Sequence, residues 1–512
     1  MPPTDPTEPA DHTVPTVGPT TDPTVDPTVA SLVVDPAVRE VEVPDRAVAG
    51  LVPLIGPDRH AALREAAART VGRLDGATVW NISSTATGGG VAEMLQDLVG
   101  YARDLGIDTR WLVLHGDPAF FTVTKRLHNR LHGVPGDDGD LGSAEHSVYA
   151  AVTAAAAAGA LARVRPGDVV LLHDPQTVGL APALASAGAR VVWRCHIGRE
   201  GGNRWTEEAW AFLRSHLAAC ERFVFTLRDY APVWLDPAAV DVVLPSIDPF
   251  SPKNRDLPPG DAVRVLRHIG LLDAGGSGDG DRGPVPFVRR DGSPGALDGR
   301  ATVHTMGPGP TADDRLVVQV SRWDRLKDMA GVMAGFAGSV AGRVDTHLVL
   351  AGPSVSDVSD DPEGAEVLAG CVADWEALAP AVRRHVTLAT FPEDDIDANA
   401  VMVNALQRQA TAIVQKSLAE GFGLTVTEGM WKQRAVVASR VGGITTQITP
   451  GTGVLLDDPG DLAAFGDVLA GLVTDQARLD SLGTAARRRV RERFLVDSHL
   501  LDLAGVLGRL PR

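Results

Sequence analysis

The sequence has few cysteines and lacks the segments that mark secreted proteins. Only three cysteines occur among 512 residues, and they are far apart with no C-x-x-C pair. This pattern argues against a disulfide framework and against a cysteine-based zinc site. The N-terminus has no basic segment followed by an apolar core, so it does not resemble a secretory signal. We therefore expect a cytoplasmic protein without a metal site.

Long hydrophobic runs and blocks of basic residues are also missing. The most apolar run, residues 148–164, is mostly alanine and is shorter than the ~20 residues that span a bilayer, so it predicts an ordinary helix. The formal net charge of −17 and the scattered lysines and arginines argue against a nucleic acid or a membrane surface as partner. We expect small-molecule substrates as partners, with a homodimer as one option.

Two common nucleotide-binding fingerprints are absent as well. A β-rich run at 77–83 is followed by the loop S-T-A-T-G-G-G at 84–90 and then by a helical pattern at 91–105. This loop is neither G-x-G-x-x-G nor G-x-x-x-x-G-K-[ST]. Its glycines would still let backbone N–H groups approach an anion or a sugar at a helix N-terminus. A flexible turn and a ligand-binding loop both fit the pattern.

Short apolar runs alternate with helical patterns in two series, which predicts two α/β domains with parallel sheets covered on both faces. Two such domains leave a cleft between their facing carboxyl edges. The predicted organisation is a disordered Pro/Thr/Asp tail at 1–30, a first domain at 31–254, a Gly/Asp/Pro-rich linker or insertion at 255–314, a second domain at 315–490, and a C-terminal helix at 491–512 that packs back toward the first domain.

Polar residues follow several of the predicted strands, where ligands bind in open α/β sheets. Asp174 and His196 follow strands near 169–172 and 191–194 and should meet at one sheet edge. The stretch Gln415–Glu428 reads Q-K-S-L-A-E-G-F-G-L-T-V-T-E, with Glu420 in a loop and Glu428 one turn into a helix. The two carboxylates could contact different parts of one ligand. A solvated glycine turn and a structural histidine are the alternatives.

Several stretches, taken together and in order, resemble retaining glycosyltransferases of the GT-B fold, and among them the trehalose glycosyltransferring synthases of glycosyltransferase family four. The resemblance runs from about Val79 to Leu501 without the linker. Besides Gln415–Glu428, it is carried by Asn81–Leu95 (N-I-S-S-T-A-T-G-G-G-V-A-E-M-L), Gly116–Asn129 (G-D-P-A-F-F-T-V-T-K-R-L-H-N), His173–Gln176 (H-D-P-Q), Trp193–Ile197 (W-R-C-H-I), Leu244–Asn254 (L-P-S-I-D-P-F-S-P-K-N), Val320–Asp328 (V-S-R-W-D-R-L-K-D) and Asn404–Arg408 (N-A-L-Q-R).

The resemblance implies an α/β protein of the GT-B fold, with two Rossmann-like, doubly wound domains facing across a cleft. The acceptor would bind on the side of 31–254 and the nucleotide sugar on the side of 315–490. It also implies a hexosyltransferase that moves glucose from a nucleoside diphosphate glucose to glucose with retention. The product would be α,α-trehalose, in a reversible reaction without a cofactor or metal. A retaining trehalose phosphorylase and a non-catalytic sugar-nucleotide-binding protein are the alternatives.

The resemblance further implies roles for single residues. The catalytic residues would be His196, Asp174, Arg322, Lys327 and Glu420, and the donor-binding residues Gly88, Gly89, Gly90, Arg322, Lys327, Gly421, Phe422, Gly423, Leu424 and Glu428. Arg322 and Lys327 would bind the diphosphate, and Glu428 would accept hydrogen bonds from the ribose. His196 would donate a hydrogen bond to a donor hydroxyl, and Asp174 would lie near the acceptor. One departure is Gly198, where the family usually has an aspartate.

Overall fold

The computed structural model describes residues 37–87, 89–273, 283–355 and 363–511. The predicted disordered tail at 1–30 and Gly88 lie outside these described residues. Within them, two seven-stranded sheets form the cores of two halves of the chain.

The first sheet has the strand order β1-β3-β2-β4-β5-β6-β7, and all neighbouring strands are parallel except β1 and β3. Strands β2 and β4 are buried along their whole length, as expected for parallel strands covered on both faces. The strands are β1 (Val38–Glu40), β2 (Val79–Ser83), β3 (Thr109–Leu114), β4 (Val169–His173), β5 (Arg190–Cys195), β6 (Arg222–Phe225) and β7 (Val240–Val242). The helices are α1 (Val52–Leu74), α2 (Gly90–Asp104), α3 (Pro118–Leu131), α4 (Ser143–Leu161), α5 (Asp174–Thr177), α6 (Ala181–Ser186) and α7 (Arg204–Leu217).

The segment 255–314, predicted as a linker or insertion, contains ordered elements among its described residues. They are α8 (Asp261–His268), β8 (Val285–Val288), β9 (Pro294–Leu297) and β10 (Thr302–His304). Helix α8 buries Val265 and Leu266, β8 and β9 pair as a hairpin, and β10 adds an antiparallel edge strand to the second sheet. The apolar residues of α8 recur at helical spacing, a signal that the glycine and aspartate content of the segment obscures.

The second sheet has the order β10-β13-β12-β11-β14-β15-β16, in which every pair except β10 and β13 is parallel. The strands are β11 (Leu316–Val320), β12 (His347–Pro353), β13 (Val386–Phe391), β14 (Ala412–Gln415), β15 (Ala435–Ser439) and β16 (Val454–Leu456). The helices are α9 (Met329–Ser339), α10 (Gly364–Ala377), α11 (Pro380–Arg383), α12 (Ile396–Gln409), α13 (Leu424–Trp431), α14 (Ile444–Gln447), α15 (Leu462–Val473), α16 (Gln476–Arg493) and α17 (Val496–Gly508).

The chain returns from the second half to the first between α16 and α17. The backbone N–H of Ile247 donates to the carbonyl of Phe494 at 2.9 Å, and Ile247 forms a parallel bridge with Leu495. Helix α17 then packs against α1, where Arg59 forms an ion pair with Asp497. The C-terminal segment is therefore two helices separated by a short crossing.

Both sheets reverse their direction of winding next to their first parallel strand. In the first sheet, β2 lies between β3 and β4, and in the second sheet β11 lies between β12 and β14. At such a switch point the loops after the two strands leave in opposite directions and open a crevice at the carboxyl ends. The loops after β2, β4, β11 and β14 are therefore where a ligand site is expected.

Candidate functional site

The loops at the two switch points line one cavity of about 420 Å³ between the halves of the chain. This volume lies within the range of small-molecule and cofactor sites, ~300–1,000 Å³. Every predicted site residue within the described part of the chain lines it. These residues are Gly89, Gly90, Asp174, His196, Arg322, Lys327, Glu420, Gly421, Phe422, Gly423, Leu424 and Glu428.

On the first half, Asp174 and His196 are joined directly. The Asp174 carboxylate accepts a hydrogen bond from the backbone N–H of His196 at 2.7 Å. Asp174 has a φ of 62°, a left-handed conformation that places it immediately after β4 as the first residue of α5. Burial raises the pKa of Asp174 to about 7, against the effects of this hydrogen bond and of Arg194. The carboxyl end of β5 is thus fixed to that of β4.

On the second half, the loop after β11 carries the two predicted phosphate-binding residues. Lys327 donates from Nζ to Oε2 of Glu420 at 2.6 Å, and Ser417 donates to the same oxygen at 3.2 Å. Arg322 lies 3.8 Å from Asp324, whose carboxylate also accepts from the Leu326 backbone N–H at 2.8 Å. These contacts hold the arginine and the lysine on one short loop that faces the cavity.

Asp324 also connects the two halves. Lys125, on α3, donates from Nζ to Oδ2 of Asp324 at 3.1 Å. Burial works against ionisation of Asp324, but Lys125, Arg322 and Lys327 outweigh it and hold its pKa below the ordinary value. The basic residues of this part of the cavity therefore surround a carboxylate that stays ionised.

The loop 420–423 approaches the first half so closely that glycine is required. A Cβ atom at Gly421 would lie 2.5 Å from the carbonyl oxygen of His196, and one at Gly442 would overlap the carbonyl oxygen of Glu420. The hydroxyl of Tyr230, from the first half, lies 3.1 and 3.0 Å from the carbonyls of Glu420 and Gly421 and donates to them. Loop 420–423 is thus held between the two sheets.

Glu428 belongs to a separate buried network, one turn into α13. Lys253 places its ammonium 3.1 Å from Oε1 of Glu428 and 2.8 Å from Glu93, and Gln407 donates to Oε2 of Glu428 at 3.1 Å. Burial opposes the charge on Glu428, but Lys253 and Lys432 hold its pKa below the ordinary value. Glu420 and Glu428 therefore sit in two different charge environments at the same cavity.

Three residues in and directly after α3 were not predicted as site residues. Lys125 and His128 lie in α3 and His132 is its C-cap residue, at positions i, i+3 and i+7, and all three line the cavity. Burial lowers the pKa of His132 to about 4, with Glu420 working in the opposite direction. The spacing of these three residues in the stretch 116–132 was the signal that could have identified them.

Close contacts explain why glycine occurs at two further positions, Gly90 in the glycine loop and Gly198. A Cβ at Gly90 would lie 3.1 Å from Cδ1 of Leu424, so α2 begins against the start of α13. A Cβ at Gly198 would lie 2.5 Å from the ring of Tyr230. An aspartate at position 198 would therefore displace the tyrosine that holds loop 420–423.

Among the described residues, no group of three or more His, Cys, Asp or Glu side chains is arranged to hold a metal ion. Within the same ranges, the helices are all too short or too polar to cross a membrane.

Comparison with known proteins gives consistent matches. The family description "trehalose synthase, N-terminal domain" matches residues 81–232, and "glycosyl transferases group 1" matches residues 397–489. A trehalose synthase of Rubrobacter xylanophilus is 33% identical over 472 residues, which cover 91% of this chain and 97% of that protein. A trehalose phosphorylase of Pleurotus pulmonarius is 26% identical over 83% of this chain, but the match covers only 55% of the phosphorylase.

The fold also matches solved structures. A structure described as trehalose-6-phosphate from E. coli bound with UDP-2-fluoro glucose has a TM-score of 0.62 at 12% identity, covering 85% of this chain and 100% of that one. Together with the two parallel sheets, this similarity confirms the predicted GT-B fold. Because the match to the Rubrobacter protein spans nearly all of both chains, this protein belongs to the trehalose synthase family of glycosyltransferases.

Proposed function

We propose that this glycosyltransferase moves glucose from a nucleoside diphosphate glucose to glucose, with retention, and forms α,α-trehalose in a reversible reaction. The observation that carries the proposal is the pairing of Lys327 with Glu420 at 2.6 Å beside Arg322, in a cavity whose other wall holds Asp174 and His196. Cations for a diphosphate and hydrogen-bonding groups for two sugars therefore meet in one place.

The diphosphate would lie against the loop after β11. When the bond to the glucose breaks, negative charge gathers on the leaving phosphate, and fixed cations at that point lower the barrier. Arg322 offers a planar fork of donors and Lys327 a compact charge. Glu420 holds the lysine in place, and Ser417 donates to the same carboxylate oxygen of Glu420 and so fixes its position.

The nucleoside and the sugar would contact two different parts of the Gln415–Glu428 stretch. Glu428 is ionised and buried, and its carboxylate oxygens can accept ribose hydroxyls in addition to Lys253 and Gln407. The backbone of Gly421–Leu424 would face the transferred glucose and the phosphate, with Gly89 and Gly90 opposite. Gly88 is predicted to share that role and lies outside the described residues.

The acceptor glucose would enter on the side of Asp174. We assign no covalent protein nucleophile, because the two catalytic carboxylates that line the cavity are engaged: Asp174 with the His196 N–H and Glu420 with Lys327. The leaving phosphate would instead remove the proton of the incoming hydroxyl on the same face of the sugar. This route transfers glucose with retention without a glycosyl-enzyme intermediate.

A trehalose phosphorylase is the second candidate, and the relative of Pleurotus pulmonarius is the observation that favours it. Phosphorolysis needs a site for phosphate but none for a ribose. The buried Glu428, held in the cavity by Lys253 and Gln407, supports the nucleotide-dependent reaction instead.

A panel of donors and acceptors tests the proposal. The purified protein is incubated with ADP-, UDP- or GDP-glucose and with glucose, other hexoses or hexose phosphates, and the products are identified by NMR and mass spectrometry. We expect α,α-trehalose and a nucleoside diphosphate from glucose and at least one of the donors. Absence of trehalose with all three donors would overturn the proposal.

A further inference from the structure

Three buried polar side chains from neighbouring strands form a chain of hydrogen bonds that ends at the cavity. They are Asn81 on β2, His173 at the end of β4 and His196 after β5. Nε2 of His173 lies 3.0 Å from Oδ1 of Asn81, and Nδ1 of His173 lies 3.0 Å from Nε2 of His196. All three side chains are buried, and His196 lines the cavity of the candidate site.

The orientation of Asn81 gives this chain its direction. Nδ2 of Asn81 donates to the carbonyl oxygen of Arg110 at 3.4 Å, so Oδ1 is the atom that faces His173. A carbonyl oxygen accepts only, so Nε2 of His173 must carry the proton. In a neutral imidazole the other nitrogen, Nδ1, is then an acceptor, and it accepts a hydrogen bond from the Nε2–H of His196.

The surroundings keep both rings neutral. Burial lowers the pKa of His173 to about 3 and that of His196 well below its ordinary value, and the guanidinium of Arg194 adds to both effects. His499 on α17 lowers the pKa of His196 further, whereas Asp174 contacts the backbone N–H of His196. A second proton on His173 would sit on Nδ1 and would point that N–H at the N–H of Nε2 of His196.

We propose that Asn81 and His173 are positioning residues that hold His196 as its Nε2–H tautomer, so that Nδ1 accepts a hydrogen bond from a substrate hydroxyl. This inference rests on the proposed function for the identity of the substrate. Within the described part of the chain, Nδ1 of His196 makes no hydrogen bond to protein. The family resemblance predicts that His196 donates; the chain from Asn81 reverses that direction.

The direction has a consequence for specificity. A site that accepts a hydrogen bond from a hydroxyl rejects an analogue in which hydrogen or fluorine replaces that hydroxyl, because neither atom can donate a hydrogen bond. A donating histidine would instead keep part of its interaction with the fluorine. Deoxy and deoxyfluoro sugars therefore distinguish the two directions, and the loss expected for each is about tenfold or more in kcat/KM.

The tautomer can be measured without any substrate. Protein labelled with ¹⁵N-histidine is studied by long-range ¹H–¹⁵N correlation NMR, with signals assigned from the His173→Gln and His196→Gln variants. We expect both rings to be neutral from pH 6 to 8, with protons on Nε2 and with unprotonated Nδ1 nitrogens. A proton on Nδ1 of His196, or an imidazolium at pH 7, would overturn the proposal. The remaining histidines serve as internal controls.

Asn81→Leu removes the acceptor that starts the chain. We expect His173 to lose its fixed tautomer and His196 to follow, with a fall of about tenfold or more in kcat/KM for the wild-type substrates. An unchanged His196 tautomer in this variant would refute the positioning role of Asn81 and His173. The wild-type spectrum decides the matter by itself if the variant does not fold. If the expected tautomers are found but no trehalose forms, the proposed function is refuted and the positioning role of Asn81 and His173 is not.

Discussion

Removal of the Lys327 ammonium is the most informative single change in the cavity. Lys327 is 17% exposed and contacts Glu420, which is 9% exposed, so the pair is neither fully buried nor freely solvated. We expect Lys327→Ala to lower kcat/KM for trehalose formation because the leaving diphosphate loses one of its two cations. The matched control is Arg325→Ala. It removes a positive charge two residues before Lys327, at a residue that forms an exposed ion pair with Glu366.

The size of the effect follows from the position of the charge. Two unit charges 4 Å apart interact by ~4 kcal/mol at the effective dielectric constant of a protein surface. Loss of one preorganised donor to a developing anion costs ~2.7–4 kcal/mol in other enzymes. Arg322 remains in the variant and replaces part of the lost interaction. We therefore expect a loss of at least ~1.4 kcal/mol of transition-state stabilisation, or at least tenfold in kcat/KM.

Initial rates with the best donor of the panel give kcat and KM for the two variants, and thermal unfolding gives their stability. Lys327→Ala also leaves the Glu420 carboxylate without its cation, which costs ~1–3 kcal/mol of stability if the group stays ionised. The rate loss must therefore be measured at a temperature where the variant is folded. Turnover of Lys327→Ala within a factor of two of Arg325→Ala would remove Lys327 from the site.

Three further predictions concern other parts of the site. Glu428→Ala should mainly weaken nucleotide binding, and an unchanged nucleoside diphosphate affinity in calorimetry would refute its ribose role. Gly442→Ala should lower activity at least tenfold because the new Cβ would displace Glu420. The control is Gly451→Ala, which is also at positive φ but has open space around it and should cost only ~1 kcal/mol of stability. Equal activity of the two variants would contradict this prediction. Burial lowers the pKa of Lys432 from 10.5 to about 7. Between these pH values the unfolded chain binds more protons than the folded one, so stability increases with pH. The free energy of unfolding of the wild type should therefore rise from pH 7 to 10 relative to that of Lys432→Met. Parallel pH profiles in chemical denaturation would contradict the shift.

Most parallel strands of both sheets could be predicted from the sequence because they are short and largely apolar runs, whereas the antiparallel edge strands β1 and β10 were not predicted. The predicted strands near 169–172 and 191–194 fall within β4 and β5, and the β-rich run at 77–83 contains β2. Such strands are buried on both faces, so composition alone identifies them. Glu420 lies in the loop after β14 and Glu428 one turn into α13, as the sequence predicted, because the loop begins where the apolar residues of β14 end.

Other features depend on contacts between distant parts of the chain. The pairing of Lys253 with Glu428 spans the two halves and has no local pattern. The crossing at Phe494–Leu495 is set by hydrogen bonding to Ile247 and not by a helix-breaking residue. The structure of 255–314 was obscured because a few buried apolar residues, such as Val285 and Leu297, stand within a glycine- and aspartate-rich composition.

The proposed roles of Asn81 and His173 also depend on contacts between distant parts of the chain. Asn81 lies within the predicted run at 77–83 and His173 directly follows the one at 169–172, but only the parallel neighbours β2, β4 and β5 bring them in line with His196. The sequence could thus predict His196 as a candidate site residue, whereas the proposed direction of its hydrogen bonds rests on the structure.

The central claim is that the leaving group is a nucleoside diphosphate, and the reverse reaction tests it most directly. Trehalose is incubated with the protein in one sample with a mixture of ADP, UDP and GDP and in another with inorganic phosphate, and both are followed by ³¹P NMR. The proposed reaction predicts a nucleoside diphosphate glucose in the first sample and no sugar phosphate in the second. Glucose 1-phosphate in the second sample, with no nucleotide sugar in the first, would contradict it.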